Sequence, residues 1–130
     1  MRIETSSVSE ALNSAVIVGG SPFDLSTPAA EKSAIHCRIE RDFVRLFDEI
    51  VAQDVPFLAA CSGNGLLGSY LSALISRMYG EAAGCVSLQL TEAGVGDPLL
   101  VGLPGSIDVL LGHKEACDEV PEGAVLLMTG

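Results

Sequence analysis

Hydrophobic residues form continuous runs and helical stripes up to Gly84 and alternate singly with polar residues after it. The run Ala15–Val18, ended by Gly19–Gly20, predicts a short strand buried on both faces, as in a parallel sheet. Ser21–Pro22 and the polar stretch to Pro28 predict a loop at its C-terminal end. Ile35, Ile39, Phe43, Leu46, Phe47, Ile50 and Val51 then recur at steps of 4, 4, 3, 1, 3 and 1, one apolar stripe of a helix. Arg38, Arg41, Asp42, Arg45, Asp48 and Glu49 take its other face, and Pro56 bars its continuation because it drives Val55 towards extended geometry.

Phe57–Ala60 predicts a second buried strand, followed by Cys61-Ser62-Gly63-Asn64-Gly65 and a further helix carrying Leu66, Leu67, Tyr70, Leu71, Leu74, Ile75 and Met78. Strand, helix, strand, helix with short connections is the doubly wound pattern. Beyond Gly84, Val86, Leu88 and Leu90 alternate with Ser87, Gln89 and Thr91, a strand with one wet face. Asp97–Leu103 reads as a helical turn closed by Pro104–Gly105, and Ile107–Leu111 and Ala124–Met128 as two more strands. The expected fold is α/β: an incomplete doubly wound, flavodoxin-like sheet with helices on both faces and a strand-rich C-terminal part. The chain begins just before one buried strand and stops at another, so the reading is a single, incomplete domain over residues 1–130, with exposed sheet edges that favour oligomers.

Composition narrows the function. The chain has 130 residues, 48% apolar and 18% charged, which excludes a disordered tail. Seven basic against 17 acidic residues give a net charge of −10, which disfavours nucleic acid and anionic membrane surfaces as partners. Aromatic residues make up 5%, with no Trp, a poor basis for stacking bases. Val55–Ser76 carries no charge, but Pro56, Asn64 and its glycines make it strand, turn and helix rather than a membrane span. Cys37, Cys61, Cys85 and Cys117 form no CxxC pair and no zinc spacing with His36 and His113, so no metal or other cofactor is expected. The N-terminal residues have no leader character, and a reducing cytoplasm is the expected compartment.

The chemistry centres on Pro56–Gly68, PFLAACSGNGLLG. Ala59, Cys61 and Gly63 give the small-x-nucleophile-x-small spacing of a nucleophile elbow, in which a strained turn packs a strand against an incoming helix. The helix N-terminus beside Cys61 favours thiolate over thiol. The Ser62 N–H would face an oxyanion formed on a carbonyl attacked by Cys61, and the Gly19–Gly20 loop offers a second donor. A small buried cysteine on a glycine-permitted turn is the other reading; spacing, flanking elements and the Gly-Gly loop together favour the nucleophile. Cys37, Cys85 and Cys117 read as ordinary core or half-buried thiols. His36 reads as a solvated residue of the polar helix face. His113, after a strand end, reads either as a general base for Cys61 or as a polar residue on the cleft rim.

These residues resemble the class I (triad-type) glutamine amidotransferase domain over Ala15–Gly130. IVGGSP at 17–22 matches the family's Gly-Gly oxyanion loop, CSGNG at 61–65 its Cys-x-Gly-x-Gln motif, and DPLLVGLP at 97–104 with GHKEACDEVPEGAVLLMTG at 112–130 its C-terminal segment. The resemblance implies Cys61 as catalytic nucleophile, Gly20 and Ser62 as the oxyanion hole, and Gly63 and Gly65 at the substrate. Cys61 would attack the side-chain amide of glutamine or a related amide, release ammonia for a synthetase partner, and leave a glutamyl thioester for water. Three departures qualify it. The family's His-Pro-Glu motif is absent from these residues, and His113 matches a non-catalytic histidine. Almost nothing precedes the Gly-Gly strand. Gly65 stands where the motif has Gln. The 130 residues are therefore expected to hold the nucleophile without its base, with little or no glutaminase activity. Two alternatives stand beside this: a ThiJ/PfpI-like cysteine hydrolase or redox protein, and a non-catalytic interaction module derived from the fold.

Overall fold

The computed structural model describes residues 15–130. Strand β1 (Val16–Val18) lies parallel to β2 (Phe57–Ala59), with Val16 opposite Phe57 and Val18 opposite Ala59. A parallel pair needs a long crossover, and helix α1 (Ala34–Gln53) supplies it. Ser33 starts α1 by accepting the His36 N–H on Oγ at 3.2 Å. Asp54 ends it in the left-handed region, φ 52° and ψ 45°, with its N–H returned to the last turn. Helix α2 (Ser62–Tyr70) follows β2 after two residues.

Phe47 joins these elements. It is 1% exposed and, with Ile50 and Leu66, is packed by Val16, Phe57 and Tyr70. Its ring meets Phe57 edge-on at 5.3 Å and lies 5.2 Å from Tyr70. The buried stripe of α1 is rotated slightly from the one expected: Ile35 and Val51 are exposed, and His36 is buried. His36 is thus a core residue rather than a solvated one, its ring 5.0 Å from that of Phe23. Burial of β1 and β2 on both faces is met on one face only among the described residues. Val16 and Phe57 pack on the helices, whereas Ile17 and Leu58 are 73% and 60% exposed.

The helix expected to run to Met78 stops at Tyr70. Ser72 adopts φ 68°, and the Ala73 N–H bonds back to Gly68 O at 2.9 Å. Ile75–Ser76 instead form strand β3, antiparallel to β6 (Ala116–Cys117). A Cβ on Gly68 would collide with Cys117 Sγ, so α2 lies directly on β6.

Strand β4 (Glu81–Leu90) is longer than its alternating core and pairs antiparallel with β5 (Ser106–His113), setting Val86 against Val109 and Leu88 against Ile107 on the half-buried face. Between them lie α3 (Glu92–Gly96), capped by Thr91 and unmarked by any sequence periodicity, and a short 3-10 turn at Pro98–Leu100. The last strand, β7, is only Met128–Thr129 on the far side of β4. Most of the expected strand from Ala124 is irregular, following a turn with Gly123 at φ 82°. The architecture is an incomplete α/β domain: a β1–α1–β2–α2 unit and a strand-rich C-terminal part. No helix among the described residues is long and apolar enough to cross a membrane.

Candidate active site

The chain reverses at Cys61, between the end of β2 and the start of α2, with φ 55° and ψ −121°. A non-glycine residue held there costs about 1–3 kcal/mol, and such strain is retained where the surroundings fix it. Here both sides are fixed. The Ala60 N–H donates to Val18 O at 2.9 Å, and the N–H groups of Asn64 and Gly65 converge on Cys61 O at 3.0 and 3.2 Å. The first turn of α2 is thereby largely satisfied, since Gly63 N–H also donates to Ala60 O. Ser62 N–H forms no hydrogen bond among the described residues, and neither does Gly20 N–H.

The Gly-Gly loop meets this turn across 41 positions of sequence. A Cβ built on Gly20 would stand 3.4 Å from Cys61 Sγ, so Gly20 lies against the thiol. The Ser62 hydroxyl accepts the Ser21 N–H at 2.9 Å and faces Ser21 O at 3.4 Å, tying the loop to the elbow. Motif spacing does not single out that hydroxyl, because it fixes only the size of the neighbouring residues. Gly63 packs on Val18, whereas Gly65 borders the open space beside Cys61 and touches Leu25 through its missing side chain.

Cys61 is exposed and borders two adjoining hollows, a cleft of about 860 Å³ and a smaller one of about 240 Å³. His113 and Glu115 line both. His113 therefore reaches the cleft, with Nε2 2.9 Å from Tyr79 O. A carbonyl only accepts, so Nε2 is the donor in that bond. Glu115 accepts the N–H groups of Leu25 at 2.6 Å and Ser26 at 2.9 Å, contacts that no local pattern announces.

The other thiols lie apart from this site. Cys37 and Cys117 are half-buried and Cys85 is exposed, more open than its expected setting. Burial, and then the neighbouring Asp118 carboxylate, push the Cys117 thiol above its ordinary value. The Tyr70 hydroxyl is raised by its 2.9 Å hydrogen bond to Asp48. Among the described residues no group of His, Cys, Asp or Glu side chains is arranged to hold a metal. The Cys61 thiol thus sits exposed on a strained turn, with Gly20 against its sulfur and an open cleft beside it, sterically free to meet a carbonyl carbon.

No protein-family model and no curated protein sequence matches the chain. Solved structures do. The crystal structure of SMU.1228c is 21% identical, with a TM-score of 0.67 over 86% of this chain and 47% of its own. A glutamine amidotransferase from Thermotoga maritima is 21% identical, with a TM-score of 0.67 over 88% of this chain and 46% of its own. A candidate GMP synthase subunit from Thermoplasma acidophilum is 12% identical, with a TM-score of 0.61 over 88% of this chain and 72% of its own. The chain thus spans about half the length of the first two. Over the span it covers, it has the fold of the class I glutamine amidotransferase domain.

Proposed function

We propose that this chain carries the nucleophile half of a glutamine amidotransferase site. Cys61 Sγ attacks the side-chain carbonyl carbon of glutamine. The C–N bond breaks, ammonia leaves with a proton taken from the site, and a glutamyl thioester remains, which water hydrolyses to glutamate. Ser62 N–H and Gly20 N–H hold the oxyanion of each tetrahedral intermediate. Gly65 borders the substrate, and Gly63 keeps the turn in shape. The ammonia passes to a synthetase partner, as befits a fold shared with a glutamine amidotransferase and with a candidate subunit of a GMP synthase.

The observation that carries this reading is the meeting of Gly20 with Cys61 Sγ on a turn at φ 55°. A cysteine kept only to fill space needs neither the strained backbone nor a glycine loop pressed on its sulfur. A diazoketone analogue of glutamine tests it by alkylating the nucleophile without calling for a hydrolysis step. Intact-mass analysis should find one adduct, mapped to Cys61, absent in Cys61→Ala and suppressed by excess glutamine. Equal modification of Cys85, or indifference to glutamine, would count against the amidotransferase reading and leave a binding module as the working description.

A further inference from the structure

The loop that carries Gly20 is held at two ends. Its inner end is tied to the elbow by Ser21 and Ser62. Its outer end is held by the segment that follows β5: the Glu115 carboxylate takes the N–H of Leu25 on one oxygen and the N–H of Ser26 on the other. Asp24, in the same loop, pairs with Arg77 at 2.9 Å and Lys114 at 3.6 Å, but these two basic side chains are largely exposed and contribute little. Glu115 is different. Two charge-assisted bonds to consecutive backbone amides fix both position and direction of the chain they grip. The same carboxylate borders both hollows beside Cys61.

We infer that Glu115 is a positioning residue: by clamping Leu25 and Ser26 it holds the Gly19–Ser21 stretch against Cys61 and so aims the Gly20 N–H at the developing oxyanion. The inference rests on the nucleophile reading above. It differs from a purely structural role in one respect. A loosened loop should weaken reactions that build an oxyanion on the attacked carbon and spare those that do not.

Two probes separate these. p-Nitrophenyl acetate acylates a thiol through a tetrahedral oxyanion, expelling p-nitrophenolate. Iodoacetamide alkylates it by displacing iodide from a saturated carbon, with no oxyanion. Rates for Cys61 and for exposed Cys85 are followed by peptide mass in the full chain, the wild type beside Glu115→Gln, which keeps the shape and removes one acceptor. The expected result is an acylation-to-alkylation ratio at Cys61 that exceeds that at Cys85 in the wild type. Glu115→Gln should lower it by about tenfold, part of the hundredfold or greater loss that follows outright removal of an oxyanion donor. Amide exchange at Leu25 or Ser26 should quicken in parallel, and Lys114→Ala should leave the ratio unchanged. If Glu115→Gln does not melt cooperatively, Glu115→Asp, which withdraws the acceptors by one methylene, carries the same comparison and the same expected loss.

An unchanged ratio with quickened exchange would overturn the positioning role, and so would equal losses in both reactions. A wild-type Cys61 with no preference over Cys85 would instead overturn the nucleophile reading beneath it; the exchange rates would still report whether the clamp exists.

Discussion

Gly63 presses its α-carbon onto the end of β1: a Cβ there would lie 2.6 Å from Val18 O and 2.9 Å from Val18 Cγ1. The elbow is therefore keyed to the neighbouring strand by the absence of a side chain. Because backbone cannot retreat as a flexible side chain can, Gly63→Ala should destabilise the fold by about 1–3 kcal/mol. Gly20→Ala provides the contrast. Its Cβ would meet only the Cys61 side chain, at 3.4 Å or more, and Gly20 does not need positive φ. Urea unfolding should show a lowered midpoint for Gly63→Ala and one near wild type for Gly20→Ala, whose defect should lie in Cys61 reactivity. Equal midpoints for the two would show that the Val18 contact does not set the packing.

Cys61 itself is held in a conformation that glycine adopts more easily. Cys61→Ala keeps the Cβ and hence the strain, so its stability should stay within about 0.5 kcal/mol of wild type. Cys61→Gly releases strain of about 1–3 kcal/mol and gives back about 0.4–1 kcal/mol through a more flexible unfolded chain. It should thus be the more stable of the two variants, and both should lose thiol chemistry at this position. A glycine variant no more stable than the alanine one would mean that the turn stores no strain.

The β1–α1–β2–α2 unit was legible because local signals agree there: apolar runs, one clean helical stripe, Pro56 as a stop, and small residues around Cys61. Legibility failed where distant pairing overrode local spacing. Leu71, Leu74, Ile75 and Met78 continue a helical period, yet Ile75 and Ser76 pair with Cys117 and Ala116. His36 precedes Phe47 by eleven residues, about three helical turns, so the face of α1 that buries Phe47 also turns His36 inward beside Phe23. The site divided in the same way. Ser62, Gly63 and Gly65 follow Cys61 directly in sequence, whereas Gly20 comes to the Cys61 sulfur from a loop 41 positions away. Glu115 reaches Leu25 across 90 positions, and no spacing rule reports such a contact.

Phe47 carries the load between α1, β2 and α2, with rings of Phe43, Phe57 and Tyr70 within 5.8 Å. Phe47→Ala should cost about 3–5 kcal/mol, a large part of the stability of a domain this size. Phe43→Ala, at a half-buried position, should cost less. Thermal unfolding ranks the pair. A smaller loss at Phe47 than at Phe43 would move the centre of the core away from the elbow helix.

Cys117 gives stability a dependence on alkaline pH. Burial and then Asp118 raise its thiol value in the folded chain, so folding favours the protonated form. The folded state binds that proton more tightly than the unfolded chain does. The resulting stabilisation is complete below the unfolded-state value and fades as pH rises through the higher folded-state value. Cys117→Ala removes the titration, although it also removes the sulfur packed on Gly68. The stability gap between wild type and variant should therefore shrink as pH is raised from neutral into the alkaline range. Over the same range Cys117 should be alkylated slowly, because it is half-buried and its raised value keeps more of it as thiol than an ordinary cysteine would be. A gap that widens with pH would mean that ionised Cys117 is stabilised in the fold, reversing the direction assigned to it.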